Sequence, residues 1–348
     1  MKQQYSNTLN KLKSDTRVNR PHVVILGAGA SLAAFPNGDK NGKKLPLMKD
    51  IVEVIGLNDI LKNHDGLSWK AGNNFENYFS NLFLDKKNTN LIKELEELIY
   101  NYFSKLSLPE KPTLYDHLIL SLRKKDIIAT FNWDPLLFQA CERIYTFITK
   151  NVPKLFFLHG NVAIAIDIKN RNKVSKYIRT IDNANMYPLS KLLYPVTYKN
   201  YKSDPFIEAE WSATQRYLKQ ASILTIFGYS APKTDVEAKA LLQDGWGKAE
   251  DRNLEEIELI DIKAEKELLD TWQSFIHSHH YQVQQSFYHS LIAKYPRRSC
   301  EAIIRQNFGC EFLDNGTKTD GNISPWEIDN LNDLNKWFSP FIHDEKEI

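Results

Sequence analysis

Cysteine is scarce: Cys141, Cys300 and Cys310 are the only three among 348 residues, and no two form a Cys-x-x-Cys pair. That excludes a four-cysteine zinc module and predicts no metal cofactor, and so few thiols suit a reducing cytoplasmic setting better than a disulfide-stapled secreted fold. Neither sign of charge is in surplus, with 45 basic against 43 acidic residues, so no basic field argues for direct nucleic-acid binding. No apolar run reaches the ~20 residues of a membrane helix, and Met1-Lys2-Gln3-Gln4-Tyr5 lacks the apolar core of a signal peptide. A soluble, cytoplasmic protein is expected, and no internal repeat is found. Apolar and aromatic residues, by contrast, are plentiful at 42% and 12%, enough for a packed core.

The stretch that organises the rest is Val23-Val24-Ile25-Leu26-Gly27-Ala28-Gly29-Ala30-Ser31. Four buried-type residues running into Gly-Ala-Gly read as a central parallel strand, a tight turn, and a helix opening near Ser31. Glycine lets a backbone approach a pyrophosphate closely, and first-turn N–H groups without internal partners favour an anion. The third glycine of the dinucleotide fingerprint is absent, its place taken by Leu32 or Ala33. On this motif alone, an ordinary buried strand with a glycine turn fits as well.

Along the chain, residues 1–20 are polar and read as an N-terminal arm, while Pro36-Asn37-Gly38-Asp39 ends the first helix and starts a polar loop to Leu47. From about 48 to 112 the pattern turns to amphipathic helices over Met48–Ile55, Phe75–Leu84 and Asn90–Leu106, a helical subdomain inserted into an α/β fold. The aromatic stripe Phe75, Tyr78, Phe79 and Phe83 reads as core. Thr113 caps a helix to Leu122, whose C-terminal end suits Arg123-Lys124-Lys125. Apolar strands follow at 126–130, 154–158, 223–230 (ending in a glycine turn) and 256–262, with a further alternating stretch at Val162–Ile168. Between them, 171–201 reads mainly as loop and short helix and 204–221 as helix. The tail, 263–348, reads as a mostly helical C-terminal extension, with a helix over Trp272–Ala293 and a capping box at Ser324-Pro325-Trp326-Glu327. His277, His279, His280 and His289 lack partners at ligand spacing and read as surface. The fold class is therefore α/β: a Rossmann-like parallel sheet over 21–262 with helices on both faces.

Ligands of open parallel sheets sit outside the carboxyl ends of the strands, so what each strand delivers there carries weight. The ends deliver Gly-Ala-Gly-Ala-Ser, Thr-Phe-Asn-Trp-Asp-Pro, Leu-His-Gly and Phe-Gly-Tyr-Ser, in that order. Asn132 and Asp134, two apart, point to one side of an extended strand end, and Asp134-Pro135 is also a good helix start. Asp261, at the end of the last strand, suits a ribose hydroxyl or plain solvent.

In their order and context these motifs resemble the sirtuin family, and within it the zinc-free bacterial sirtuin-like proteins that cleave NAD+ in defence against phage. The resemblance covers roughly residues 20–262. It implies that Gly27, Ala28, Gly29, Ala30 and Ser31 embrace the NAD+ diphosphate and that Thr130, Phe131, Asn132 and Asp134 match the family's Thr-Gln-Asn-Ile-Asp motif. His159 matches the catalytic histidine, Gly228 and Ser230 the adenosine-side turn, and Asp261 the ribose contact. Phe131 departs from the family's glutamine, Asp261 from its asparagine, and the zinc module that helps form the acyl-lysine cleft is missing, so deacylation or ADP-ribosyl transfer is disfavoured. The expected activity is hydrolysis of NAD+, a substrate rather than a resident cofactor, to nicotinamide and ADP-ribose or a cyclic product, with Asn132 and His159 catalytic. The resemblance further implies a regulated homo-oligomer. A non-hydrolytic nucleotide sensor whose tail binds a partner, such as an ATPase or phage-sensing subunit, is the alternative.

Overall fold

The computed structural model describes residues 19–62, 69, 74–149, 151–179, 183–196, 200–231, 235–252, 254–276, 279–309 and 324–344. Nearly all of the expected N-terminal arm, Cys310 and His277 lie outside these.

Among the described residues there are eight strands: β1 (His22–Leu26), β2 (Ile127–Thr130), β3 (Lys154–Phe157), β4 (Ile164–Asp167), β5 (Asn172–Ser175), β6 (Ile223–Phe227), β7 (Glu256–Ile260) and β8 (Tyr281–Gln284). The α-helices are, in the first half, α1 (Ala28–Ala34), α2 (Ile51–Ile55), α3 (Asn58–Lys62), α4 (Phe75–Leu82), α5 (Thr89–Ser104), α6 (Leu114–Leu120) and α7 (Leu136–Ile148). The second half adds α8 (Pro205–Gln220), α9 (Val236–Trp246), α10 (Glu265–Trp272), α11 (Leu291–Lys294), α12 (Ser299–Gly309) and α13 (Leu331–Asp344).

Six strands form one wholly parallel sheet in the order β3-β2-β1-β6-β7-β8. Strands β1, β2, β6 and β7 are buried throughout, which is why they read as near-continuous apolar runs. Alternate residues serve opposite faces: Val24 and Leu26 pack with α1, α6, α7 and the helical subdomain, whereas Val23 and Ile25 pack with α8, α9 and α10. From β1 the chain runs outward to β2 and β3, then returns to β6 on the other side of β1, so the connections diverge between β1 and β6. That divergence marks the carboxyl ends of β1 and β6 as the switch point at which open α/β sheets place a ligand crevice.

Several expectations need correction. Trp272–Ala293 is not a helix, because α10 ends at Trp272 and β8 follows as the edge strand of the sheet, which therefore continues past residue 262. Within 171–201 the chain forms β5, which pairs with β4 as an antiparallel ribbon apart from the main sheet. The basic run after α6 makes tertiary contacts: Arg123 pairs with Glu301 and donates to the Arg297 carbonyl. Thr113 stands at the expected helix start, where it forms a capping box with Asp116, and α6 ends at Leu120 rather than Leu122, whereas Ser324 makes no side-chain cap and Pro325–Glu327 is a 3-10 turn. Among the described residues no helix is long and apolar enough to cross a membrane, and no group of three His, Cys, Asp or Glu side chains is placed to hold a metal ion.

Candidate active site at the carboxyl ends of β1, β2, β3 and β6

Helix α1 begins at Ala28, directly after β1 and three residues ahead of Ser31, with Gly27 as an extended N-cap. The turn is held against the end of β6 at backbone distance: the Gly27 amide donates to the Phe227 carbonyl and the Gly29 amide to the Gly228 carbonyl, both at 3.0 Å. Gly228 lies in the left-handed region, at φ 63°, and a Cβ there would sit 2.2 Å from the Ala30 nitrogen. These glycines thus serve close approach between two strand ends. Gly29 and Ala30 both donate inside the protein, so the first turn is less open to an anion than the sequence suggested. Ala28 is exposed, and Gly29 and Gly228 are half-exposed.

Behind the turn lies a buried polar network. Ser31 Oγ donates to Asp134 Oδ2 at 2.7 Å, lies 2.6 Å from the Tyr115 hydroxyl, and accepts from Asn132 Nδ2 at 2.9 Å. Asn132 Nδ2 gives its second hydrogen to the Gly27 carbonyl at 2.9 Å. A carbonyl can only accept, which fixes the orientation of this amide. Both Nδ2 hydrogens are engaged, and among the described residues no hydrogen bond reaches Oδ1. The atom left for a ligand is therefore an acceptor. The Asn132 backbone is set by its amide donating to Thr130 Oγ1 at 3.0 Å. Asp134 also accepts the Leu136 amide at 3.1 Å, doing part of the capping expected of it, although Pro135 rather than Asp134 is the N-cap of α7. Burial pushes the Asp134 carboxyl up, against the lowering effect of its bonds to Ser31 and Leu136. Trp133, between them in sequence, points the other way and packs on Phe103 and Tyr194.

His159 follows β3, next to β2 in the sheet. Its Nε2 is 2.9 Å from the Tyr201 hydroxyl, and its ring meets Phe131 edge-on at 4.8 Å between centroids. Phe131 in turn stacks on Tyr229 at 4.1 Å, which places an aromatic pair between the β2, β3 and β6 ends. Burial raises the Tyr201 hydroxyl well above its ordinary value and keeps it protonated.

Of the sequence-derived residues, Gly27, Gly29, Ala30, Ser31, Thr130, Asn132 and Asp134 are brought together around one network and its turn, with Gly228 against them. Ser230 is exposed beyond it, and Asp261 holds its own loop by accepting the Lys263 amide at 3.1 Å. Three participants were not foreseen. Tyr115 and Tyr201 enter through tertiary contacts alone. Asn161, by contrast, sits beside His159 in sequence, and its Nδ2 donates to the Asp134 carbonyl at 2.7 Å and the Asn132 carbonyl at 3.3 Å, tying the ends of β2 and β3.

No family model and no curated protein matches the chain. Among solved structures it is similar to a Sir2 homolog–NAD complex, at 12% identity and TM-score 0.39 over 86% of this chain and 94% of that one. It is likewise similar to a Sir2–p53 peptide–NAD+ complex, at 14% identity and TM-score 0.35 over 88% and 98%. A third, a structure on the basis of sirtuin substrate affinity, matches at 16% identity and TM-score 0.38 over 85% and 97%.

Proposed function

We propose that the protein is an NAD+ glycohydrolase. The observation that carries this reading is the fixed Asn132 amide, whose only uncommitted polar atom among the described residues is Oδ1, on the strand end next to His159 and beside the β1/β6 switch point. A hydrolase acting on a ribosyl pyridinium needs little more. The nicotinamide nitrogen leaves with the bonding electron pair, positive charge collects on the ribose, water attacks the anomeric carbon, and a base takes the water proton. His159 is the base, and Asn132 Oδ1 accepts from a ribose hydroxyl or the attacking water. The diphosphate lies against the exposed backbone of Ala28 and the rim at Gly228 and Ser230, with the adenosine toward Asp261. As uncontrolled loss of NAD+ is toxic, the activity belongs in a regulated cytoplasmic homo-oligomer that depletes NAD+ in antiviral defence.

One observation favours a second reading, a nucleotide sensor without turnover: His159 Nε2 is engaged by Tyr201. Incubating the purified protein with NAD+, with and without a candidate ATPase partner or extract of phage-infected cells, separates the two. Nicotinamide release that Asn132→Ala and His159→Ala each reduce by about 10²-fold or more supports the hydrolase. NAD+ binding with no turnover under any condition favours the sensor, and turnover that survives both substitutions removes the catalytic assignment.

A further inference from the structure

Four contacts lay residues 189–196 and Tyr201 over the end of β3. Ser190 Oγ donates to the Asn161 carbonyl at 2.8 Å and accepts the Asn161 amide at 3.0 Å. The Leu193 amide donates to the His159 carbonyl at 2.9 Å. Gly160 has φ 76°, and a Cβ there would lie 1.9 Å from the Lys191 carbonyl oxygen, so only glycine admits the crossing. Tyr201 closes the set, with its ring stacked on His159 and packed against Trp211 and its hydroxyl on Nε2. This segment is also fastened to the helical insertion. The Tyr194 hydroxyl donates to the Glu96 carbonyl of α5 at 3.0 Å, and the Tyr194 ring packs on Phe79 of α4.

We propose that residues 189–196 and Tyr201 form an inhibitory strap over the end of β3: the Tyr201 hydroxyl holds His159 Nε2, and breaking that bond releases the imidazole. Whichever of the two atoms carries the shared proton, Nε2 cannot accept another while the bond lasts. If the phenol donates, the Nε2 lone pair is covered; if the imidazole donates, Nε2 carries the hydrogen and the lone pair lies on Nδ1 instead. The strap rests on the reading of His159 as the base of NAD+ cleavage, but its contact with His159 can be tested without NAD+.

The full chain and its Tyr201→Phe variant are treated with diethyl pyrocarbonate, and carbethoxylation of each histidine is followed by mass spectrometry beside a separate NAD+ turnover assay. Tyr201→Phe keeps the ring and removes the hydroxyl, so His159 labelling is expected to rise about fivefold, the effect of one hydrogen bond. His22, buried at the opposite end of β1, keeps its wild-type rate. Turnover rises with His159 labelling. Unchanged His159 labelling overturns the strap, as does a parallel rise at His22, which would mark global unfolding. A fall in turnover from a measurable wild-type rate also overturns it, since Tyr201 would then assist His159. Faster labelling with no turnover in either protein leaves the strap standing and removes the NAD+ reading instead.

Discussion

Two buried polar networks hang on β1, one at each end of the strand, and they differ in whether an atom is left over. At the carboxyl end, Tyr115, Ser31, Asp134 and Asn132 interlock, with Asn132 Oδ1 left unengaged among the described residues. At the amino end, Ser299 Oγ lies 2.8 Å from His22 Nδ1, His22 Nε2 lies 2.7 Å from Thr225 Oγ1, and Thr225 donates to Glu258 Oε2 at 3.0 Å. Glu258 Oε1 then accepts the Leu291 amide at 2.6 Å. This second network runs across β1, β6 and β7 and ends on α11 and α12, so it clamps the C-terminal helices to the sheet. A polar network that closes on itself fastens; one that leaves a fixed atom at a crevice positions.

The largest expected effects test that division. Asp134→Ala removes the acceptor of Ser31 Oγ and the Leu136 amide, and Glu258→Ala removes that of Thr225 Oγ1 and the Leu291 amide. Each leaves two buried donors unpaired, at ~1–3 kcal/mol apiece, so the two variants lose similar stability in urea unfolding. They part in function. Turnover per folded molecule falls by about 10²-fold in Asp134→Ala, because Asn132 loses the support that aims it, and stays at the wild-type value in Glu258→Ala. Equal losses of turnover in both would erase the distinction.

The next effect is a slope. Burial lowers His22 to about 4 and raises both Glu258 and Glu256 to about 7. A histidine depressed on folding makes stability rise with pH between about 4 and 6.5, because the unfolded chain binds the extra proton there. A carboxyl raised on folding does the reverse between about 4.5 and 7. Burial lowers His117 to about 4 as well, so in the common window two histidines offset these two carboxyls, each group contributing ~1.4 kcal/mol per pH unit at full difference. Relative to the wild type, Glu258→Gln therefore tilts this part of the profile toward a rise with pH, and His22→Gln tilts it toward a fall. Denaturation midpoints across the pH series read this directly. An unchanged profile in both variants would mean that the amino-end network does not titrate as a unit.

Much of the positioning network was legible in the sequence, and its partners were not, for one physical reason. Ser31, Thr130, Asn132, Asp134 and His159 stand at the ends of strands whose apolar runs are unmistakable, so the pattern that locates the strand also locates the residue. Tyr115 reaches Ser31 across 84 positions and Tyr201 reaches His159 across 42, and no local pattern encodes such pairings. The same reasoning separates the strands. β7 reads from Glu256-Ile257-Glu258-Leu259-Ile260 because both its neighbours bury it, whereas β8 is a half-buried edge, Tyr281-Gln282-Val283-Gln284, with too little apolar content to separate it from a polar helix. β5, Asn172–Ser175, is shorter in apolar content still and pairs only with β4. Gly228 is the intermediate case: glycine at a strand end suggested a ligand turn, and the structure gives it a steric role against α1 first.

The smallest effect concerns where one proton lies. Ser31 Oγ has a single hydrogen. With Asp134 ionised, that hydrogen goes to the carboxylate, so the Tyr115 hydroxyl must be the donor in the 2.6 Å contact. Tyr115→Phe then removes a donor but leaves no donor stranded, and costs only ~0.5–1.5 kcal/mol with turnover reduced a few-fold at most. With Asp134 protonated the chain reverses: the acid donates to Ser31, Ser31 to Tyr115, and Tyr115→Phe strands the serine hydrogen in the core at ~1–3 kcal/mol. Because burial pushes the Asp134 carboxyl up, the reversal is reached at a higher pH than an exposed aspartate would need. The cost of Tyr115→Phe is therefore expected to be small at neutral pH and to grow as the pH falls through the Asp134 titration. The difference between wild-type and variant unfolding free energies at the two pH values measures it. A cost that is large at neutral pH and does not change with acid would place the proton on Asp134 throughout, and would make Asn132 the neighbour of a neutral acid rather than of a carboxylate.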